Sequence, residues 1–299
     1  MSYAWHTMSK KKKRSGGVLP QETKVALGRQ MSGEDGRPAK GVQAAMLRVL
    51  GVQRPLVLAY VKRLKAKRPQ ATAAQLIAIA ERDYLRTVTG TGAAGGATAV
   101  VPGLGTVASL GVSAGVTVAF LEASALYAQT VAELHGVAVK DPEQAKTLVM
   151  AVILGDEAAG LLAGVSEQFA SGSKGPWGAA VSTLGGKGGT WSTVGQEIQS
   201  RFLRHFAASQ AAGAVGRALP FGIGAAVGGV SSRVLGRRVV TSTRQAFSSL
   251  ETLDARELGA AVAAAPTDAA QLKALVAAER EAAGDVERAI EEERGRRAS

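Results

Sequence analysis

Between Arg86 and Glu122 the chain runs for 35 residues without a charged side chain: TVTGTGAAGGATAVVPGLGTVASLGVSAGVTVAFL. The run is longer than the ~20 residues a bilayer-spanning helix needs. Eight of its residues are glycine and Pro102-Gly103 falls near its middle, which argues against one straight helix. The simplest layout is a hairpin: one limb before Val101, a turn at Pro102 to Gly105, and a longer limb from about Thr106 to Leu134. Gly92/Gly96 and Gly111/Gly115 carry the GxxxG spacing that lets helix backbones approach closely, in lipid and in soluble cores alike. Membrane insertion, a nucleotide-binding loop and a tightly packed helical core are the three readings this stretch allows.

The rest of the chain reads as helix. Aromatic residues make up only 4% of the composition, and alanine and glycine abound. That mixture suits closely packed helices better than strands, which prefer aromatic and β-branched residues. Val42, Ala45, Met46, Val49 and Leu50, then Leu56, Val57, Tyr60, Val61 and Leu64, recur at helical spacing, with Pro55 starting the second of two helices. Thr72 and Gln75 form a capping-box pair ahead of LIAIAERDYL. The longer limb of the hairpin ends in AELHG, where Gly136 suits a left-handed C-cap and His135 sits at the negative end of the helix dipole. Asp141 as N-cap and Pro142 at the first helical position open the next helix. A second uncharged element, ALPFGIGAAVGGVSS at 218–232, repeats the punctuation with Pro220 and a Gly224/Gly228 GxxxG pair. It is too short to cross a bilayer comfortably and suits a re-entrant or buried hairpin. Packing of the two Gly/Pro elements on each other follows naturally. Residues 171–191 are a Gly/Ser loop, and residues 250–299 alternate alanine with charged residues, which predicts solvated helices or tail.

Charge is distributed unevenly. Residues 1–86 hold 18 Lys+Arg against 5 Asp+Glu, while residues 87–299 hold 18 against 19. A basic N-terminal part on a neutral body calls for an anionic partner, nucleic acid or a lipid surface. The arm lacks the interleaved aromatics that stack bases, which disfavours nucleic acid. Residues 1–40 show no apolar periodicity and read as disordered. The Lys10–Arg14 basic run is followed by SGGVLPQETK, so no secretory signal is predicted. Zero cysteine excludes disulfides, thiolate chemistry and Cys-ligated zinc, and fits a reducing compartment.

FLEASALYAQTVAELHGVAVKDPEQAKTLVMAVILG, preceded by AVVPGLGT and followed much later by LPFGIGAAVGG, resembles the EcsC family of bacterial proteins over roughly residues 52–250. The resemblance lies in the order of parts: small-residue hairpin, long helix ending near His-Gly, Asp-Pro-Glu start, second Pro/Gly hairpin. It implies a helical, membrane-associated protein whose partners include a membrane protein such as a transporter; it implies no mechanism.

Catalytic signatures are sparse. Around Gly186-Lys187 a P-loop fails twice, with Val181 at its first position and Gly188 after the lysine. Gly103-Leu-Gly105-Thr-Val-Ala108 matches a relaxed dinucleotide fingerprint but lacks a βαβ context. His6, His135 and His205 have no ligand spacing, so neither a metal nor a cofactor is expected. GxSxG is absent. The candidate polar residues are Glu122 and Glu133, which with Gln129 line one side of the long limb, and Asp156 and Glu157, which interrupt an apolar run. For these, Asp156 as a helix cap and Glu122 paired to Arg86 or Arg217 is one reading; a carboxylate held in or beside a membrane is otherwise a functional-site candidate. The sequence thus predicts an all-α protein: a basic arm at 1–40, an EcsC-like helical domain at 41–250 with two apolar Gly/Pro hairpins, and a charged helical tail at 251–299. Its expected action is non-catalytic docking on the cytoplasmic face of an anionic membrane, with Gly92, Gly96, Pro102, Gly103, Gly105, Gly111, Gly115, Pro220, Gly224 and Gly228 as the inserting or packing residues, and self-association as a further option. The alternative is a soluble helical lipid-handling protein or hydrolase using buried carboxylates.

Overall fold

Apolar residues at helical spacing become the buried faces of the first two helices. Among the residues that the computed structural model describes (40–52, 54–98, 106–161, 194–205 and 223–298), all regular structure is helical. Helix α1 (Lys40–Val49) buries Val42, Ala45, Met46 and Val49, and α2 (Arg54–Lys67) buries Val57, Leu58, Val61 and Leu64. Helix α3 (Ala73–Thr98) starts at the expected capping box. The Thr72 N–H donates to Gln75 Oε1 at 3.0 Å, and the Gln75 N–H donates back to Thr72 Oγ1 at 3.3 Å. These bonds satisfy amides that have no partner within the helix.

Helix α4 (Thr106–Leu134) is the longer limb of the predicted hairpin, at the predicted bounds. It ends in a Schellman arrangement: Gly136 takes φ 75°, the Val137 N–H donates to the Ala132 carbonyl at 2.9 Å, and the Gly136 N–H donates to the Glu133 backbone carbonyl at 3.0 Å. Only glycine adopts that backbone without strain. Helix α5 (Pro142–Leu154) is capped by Asp141, whose carboxylate accepts from the Glu143 N–H at 2.9 Å. It stops at Gly155, φ 63°, after which 156–161 resume helix. Residues 194–205 are helical, followed by α6 (Ile223–Phe247), α7 (Ala255–Ala263) and α8 (Ala269–Ala298).

Helix α4 occupies the centre and contacts α1, α2, α3, α5, α6 and α8. From Val118 onward its side chains are largely covered by protein, with Leu121, Ala125, Ala128, Val131 and Leu134 all buried. Hydroxyls on the buried faces fold back onto their own helix: Ser124, Thr130 and Thr243 donate to the carbonyls four residues earlier at 2.7, 2.6 and 2.7 Å. Burial therefore leaves these hydroxyls satisfied.

The most extensive helix pair joins the two Gly-rich elements, α3 and α6. A Cβ at Gly92 would lie 2.6 Å from the Gly228 carbonyl oxygen, and a Cβ at Gly228 would lie 3.4 Å from Gly96 Cα. The expected packing of the two Gly/Pro elements on each other is seen here: the atoms around Gly92 belong to Gly228 and Ser232 of α6. Gly115 is half-buried on α4; Gly111 and Gly224 lie in α4 and α6. Pro102, Gly103, Gly105 and Pro220 fall outside the described residues, as do the arm, the Gly/Ser loop and both hairpin turns.

The C-terminal segment differs from the expected solvated tail. Leu258 of α7 and Ala282 of α8 join the core, α8 packs on α1 and α4, and Arg48 of α1 pairs with Asp285. Most of α8 is exposed all the same. Alanine supplies a flat contact edge without the periodic large residues that would have marked it in the sequence.

Candidate functional site

The candidate polar residues are held in three separate places. Glu133 is the buried one, its side chain 7% exposed, and receives a bidentate pair from Arg54: Nε to Oε2 at 2.9 Å and Nη2 to Oε1 at 2.7 Å. The bond to Glu133 holds the Arg54 pKa above its usual value against the opposing effect of burial. This fork ties α2 to α4 and occupies both carboxylate oxygens, a structural use of the charge.

Glu122 lines a cleft of about 520 Å³ between α2, α3 and α4, together with Tyr60, Arg63, Lys67, Asp83 and Arg86. Burial and the neighbouring Asp83 push the Tyr60 phenol up to about 12, so it stays protonated as a donor. In the wall of the cleft, the rings of Tyr84 and Tyr127 stack at 4.8 Å, and the Tyr84 hydroxyl shares a 3.0 Å hydrogen bond with Ser124. Both phenols are raised further, chiefly by desolvation. Gln129, the third polar member of that side of α4, is buried.

Asp156 and Glu157 are exposed at the break after α5 and face a larger cleft of about 930 Å³. Its apolar wall comes from Val116, Phe120 and Leu121 of α4, Ile153, Phe202 and Val239. Its polar lining comes from Asp156, Glu157, His205, Arg237 and Arg238. His205 Nδ1 stands 3.8 Å from Glu157. Gly155 rests on α6 so closely that a Cβ there would be 2.8 Å from Ser242 Oγ.

The outward side of α6 was missed by the sequence reading. Val230, Arg233, Val234, Arg237 and Thr241 are all exposed and fall at i, i+3, i+4, i+7 and i+11, one side of a 3.6-residue helix. Val230 is 63% exposed, Val234 48% and Leu235 44%. Among the described residues, no ion pair engages Arg233, Arg237 or Arg238. Val234 and Leu235 also line the larger cleft, which thus opens beside this stripe.

No protein-family model, curated protein or solved structure matches the chain. Among the described residues the four candidate carboxylates fall in three places: Glu133 in the fork with Arg54, Glu122 in the smaller cleft, and Asp156 with Glu157 at the larger one. Among the described residues, no group of three or more His, Asp or Glu is placed to hold a metal ion. No single described helix is long and apolar enough to cross a membrane. Two basic residues of the N-terminal part are committed within the fold, Arg48 to Asp285 and Arg54 to Glu133. Arg63, Lys67 and Arg68 remain exposed. Nothing in the sequence pointed to the Arg54–Glu133 fork, whose partners are 79 residues apart.

Proposed function

We propose that the protein is a peripheral membrane module that docks on an anionic bilayer surface, acting by binding rather than catalysis. The observation that carries this reading is the outward stripe of α6, where Val230, Val234 and Leu235 stand exposed beside Arg233, Arg237 and Arg238. An apolar strip flanked by arginines matches an interfacial helix: the apolar residues enter the headgroup boundary while the cations meet lipid phosphates. Each arginine near such a surface contributes about 1 kcal/mol, screened by salt. Arg63, Lys67 and Arg68 add to the attraction, as do the basic residues from Lys10 to Arg14. Membership of the EcsC family, and a place on the cytoplasmic face of the cell membrane, are parts of the same proposal and rest on the order of sequence motifs.

Docking of this kind differs from insertion of the first hairpin. The stretch of α4 from Val118 to Leu134 is largely covered by protein, which favours attachment through another face. The test is flotation with vesicles of phosphatidylglycerol and phosphatidylcholine. The protein is expected to float with the anionic vesicles, to be released by a high-salt wash, and to float poorly when Val230, Val234 and Leu235 are all replaced by serine. Retention through the salt wash until detergent is added would move the attachment to inserted hairpins. Absence of flotation on any vesicle would end the membrane reading.

A further inference from the structure

We infer that the larger cleft is a binding site for a single zwitterionic amphiphile, one acyl chain carrying a phosphate and an ammonium group, of the lysophosphatidylethanolamine type. The inference goes beyond surface docking, because a monomer occupies the cleft without any bilayer.

Three observations combine. The first is size and lining: about 930 Å³, walled by Val116, Phe120, Leu121 and Ile153, within the ~300–1,000 Å³ range of small-molecule sites that are mostly apolar with a few placed polar groups. The second is the sign of the charges. Arg237 and Arg238 stand on the α6 side, while Asp156 and Glu157 stand on the turn after α5. The third is that these groups do not neutralise one another. Gly155 packs against Ser242, and the Ser242 hydroxyl donates to the Arg238 carbonyl at 3.0 Å, so the acidic turn and the arginines lie about one helical turn apart along α6. Even so, neither arginine forms an ion pair with either acid; the ring of His205 stands 3.8 Å from Glu157. Arginines and acids that line one cleft without pairing with each other match a ligand that brings both counter-charges.

The chemistry divides accordingly. Arg237 and Arg238 are oriented by charge toward the phosphate, for which guanidinium is suited by its planar set of donors. Asp156 and Glu157 take the ammonium. The acyl chain lies against Phe120 and Ile153, and Leu235 at the mouth borders the exposed stripe of α6 through which a chain enters from a membrane.

The test measures binding of three water-dispersed probes below their micelle concentrations by isothermal titration calorimetry, on the full chain: lauroyl lysophosphatidylethanolamine, dodecyl phosphate and dodecylammonium. The zwitterion is expected to bind most tightly. Replacing Arg237 and Arg238 by glutamine should weaken the zwitterion and dodecyl phosphate about tenfold or more. Replacing Asp156 by asparagine and Glu157 by glutamine should weaken the zwitterion and dodecylammonium but leave dodecyl phosphate unchanged or tighter. All four side chains are exposed, so the variants are expected to keep the parent's circular dichroism. Equal binding of all three probes, insensitivity to both double variants, or no binding at all would overturn the site. Vesicle flotation that persists while monomer binding is absent would separate this failure from that of the docking proposal.

Discussion

A single added carbon at Gly92 or Gly228 separates a close-packed crossing from an ordinary helix surface. At Gly92 that carbon would meet the Gly228 carbonyl at 2.6 Å, a distance real side chains do not tolerate, whereas around Gly90, two residues away, nothing lies within 4 Å. Gly92→Leu and Gly228→Ala are therefore expected to destabilise the fold by about 1–3 kcal/mol through overpacking, while Gly90→Ala should stabilise it by up to ~1 kcal/mol through helix propensity. Thermal melts of the three variants check this; equal effects at Gly90 and Gly92 would contradict the crossing. His135 offers a second residue-scale test. Its ring stacks on Phe247 at 5.3 Å and its Nδ1–H donates to the Glu251 carbonyl at 3.1 Å, and burial holds its pKa below the ordinary ~6.5 despite these bonds. Because the folded pKa is depressed, the unfolded chain takes up the proton first as pH falls. The neutral-ring contribution is whole above the ordinary value and is lost as pH falls through the folded pKa. Denaturant unfolding at about pH 7.5 and about pH 5.5 should show a smaller loss of stability in His135→Gln than in the parent. An identical loss would place the titration elsewhere.

At the scale of elements, the sequence was most readable where a helix begins or ends. The Thr72–Gln75 box, the Asp141-Pro142 start and the Gly136 stop are local devices, set by residues within a turn of each other, and each stands where the spacing placed it. Partner choice was less readable. The GxxxG spacing announced a close approach, but the pattern on α3 alone does not distinguish α4 from α6 as its partner. The Arg54–Glu133 fork and the docking of α8 through Ala282 likewise depend on contacts between residues far apart in the chain. The acids at Asp156 and Glu157 looked like interruptions of a buried run, yet the break at Gly155 turns them to the surface. The basic arm carries its own prediction: its sequence shows no apolar periodicity, so removing residues 1–40 should leave the helical circular dichroism and melting of the remainder intact while weakening binding to phosphatidylglycerol vesicles. Loss of the folded signal would give the arm a structural role.

At the scale of the whole molecule, a charge-asymmetric chain presents an outward apolar and basic face on α6. The protein core covers most of α4 from Val118, the two Gly-rich elements meet through Gly92 and Gly228, and among the described residues three of the four exposed large apolar side chains, Val230, Val234 and Leu235, gather on α6 beside an open cleft, the fourth being Val276 of α8. The central claim is that this face of α6, and not the molecule at large, meets the membrane. The chain has no cysteine, so single labels report unambiguously. An environment-sensitive fluorophore on Val234→Cys and, separately, on Lys273→Cys of the exposed side of α8 is to be read with and without phosphatidylglycerol vesicles. The account predicts a blue shift and brightening at position 234 and an unchanged, water-like spectrum at 273. A water-like spectrum at 234 while the protein is bound to vesicles, or the same shift at both positions, would contradict it.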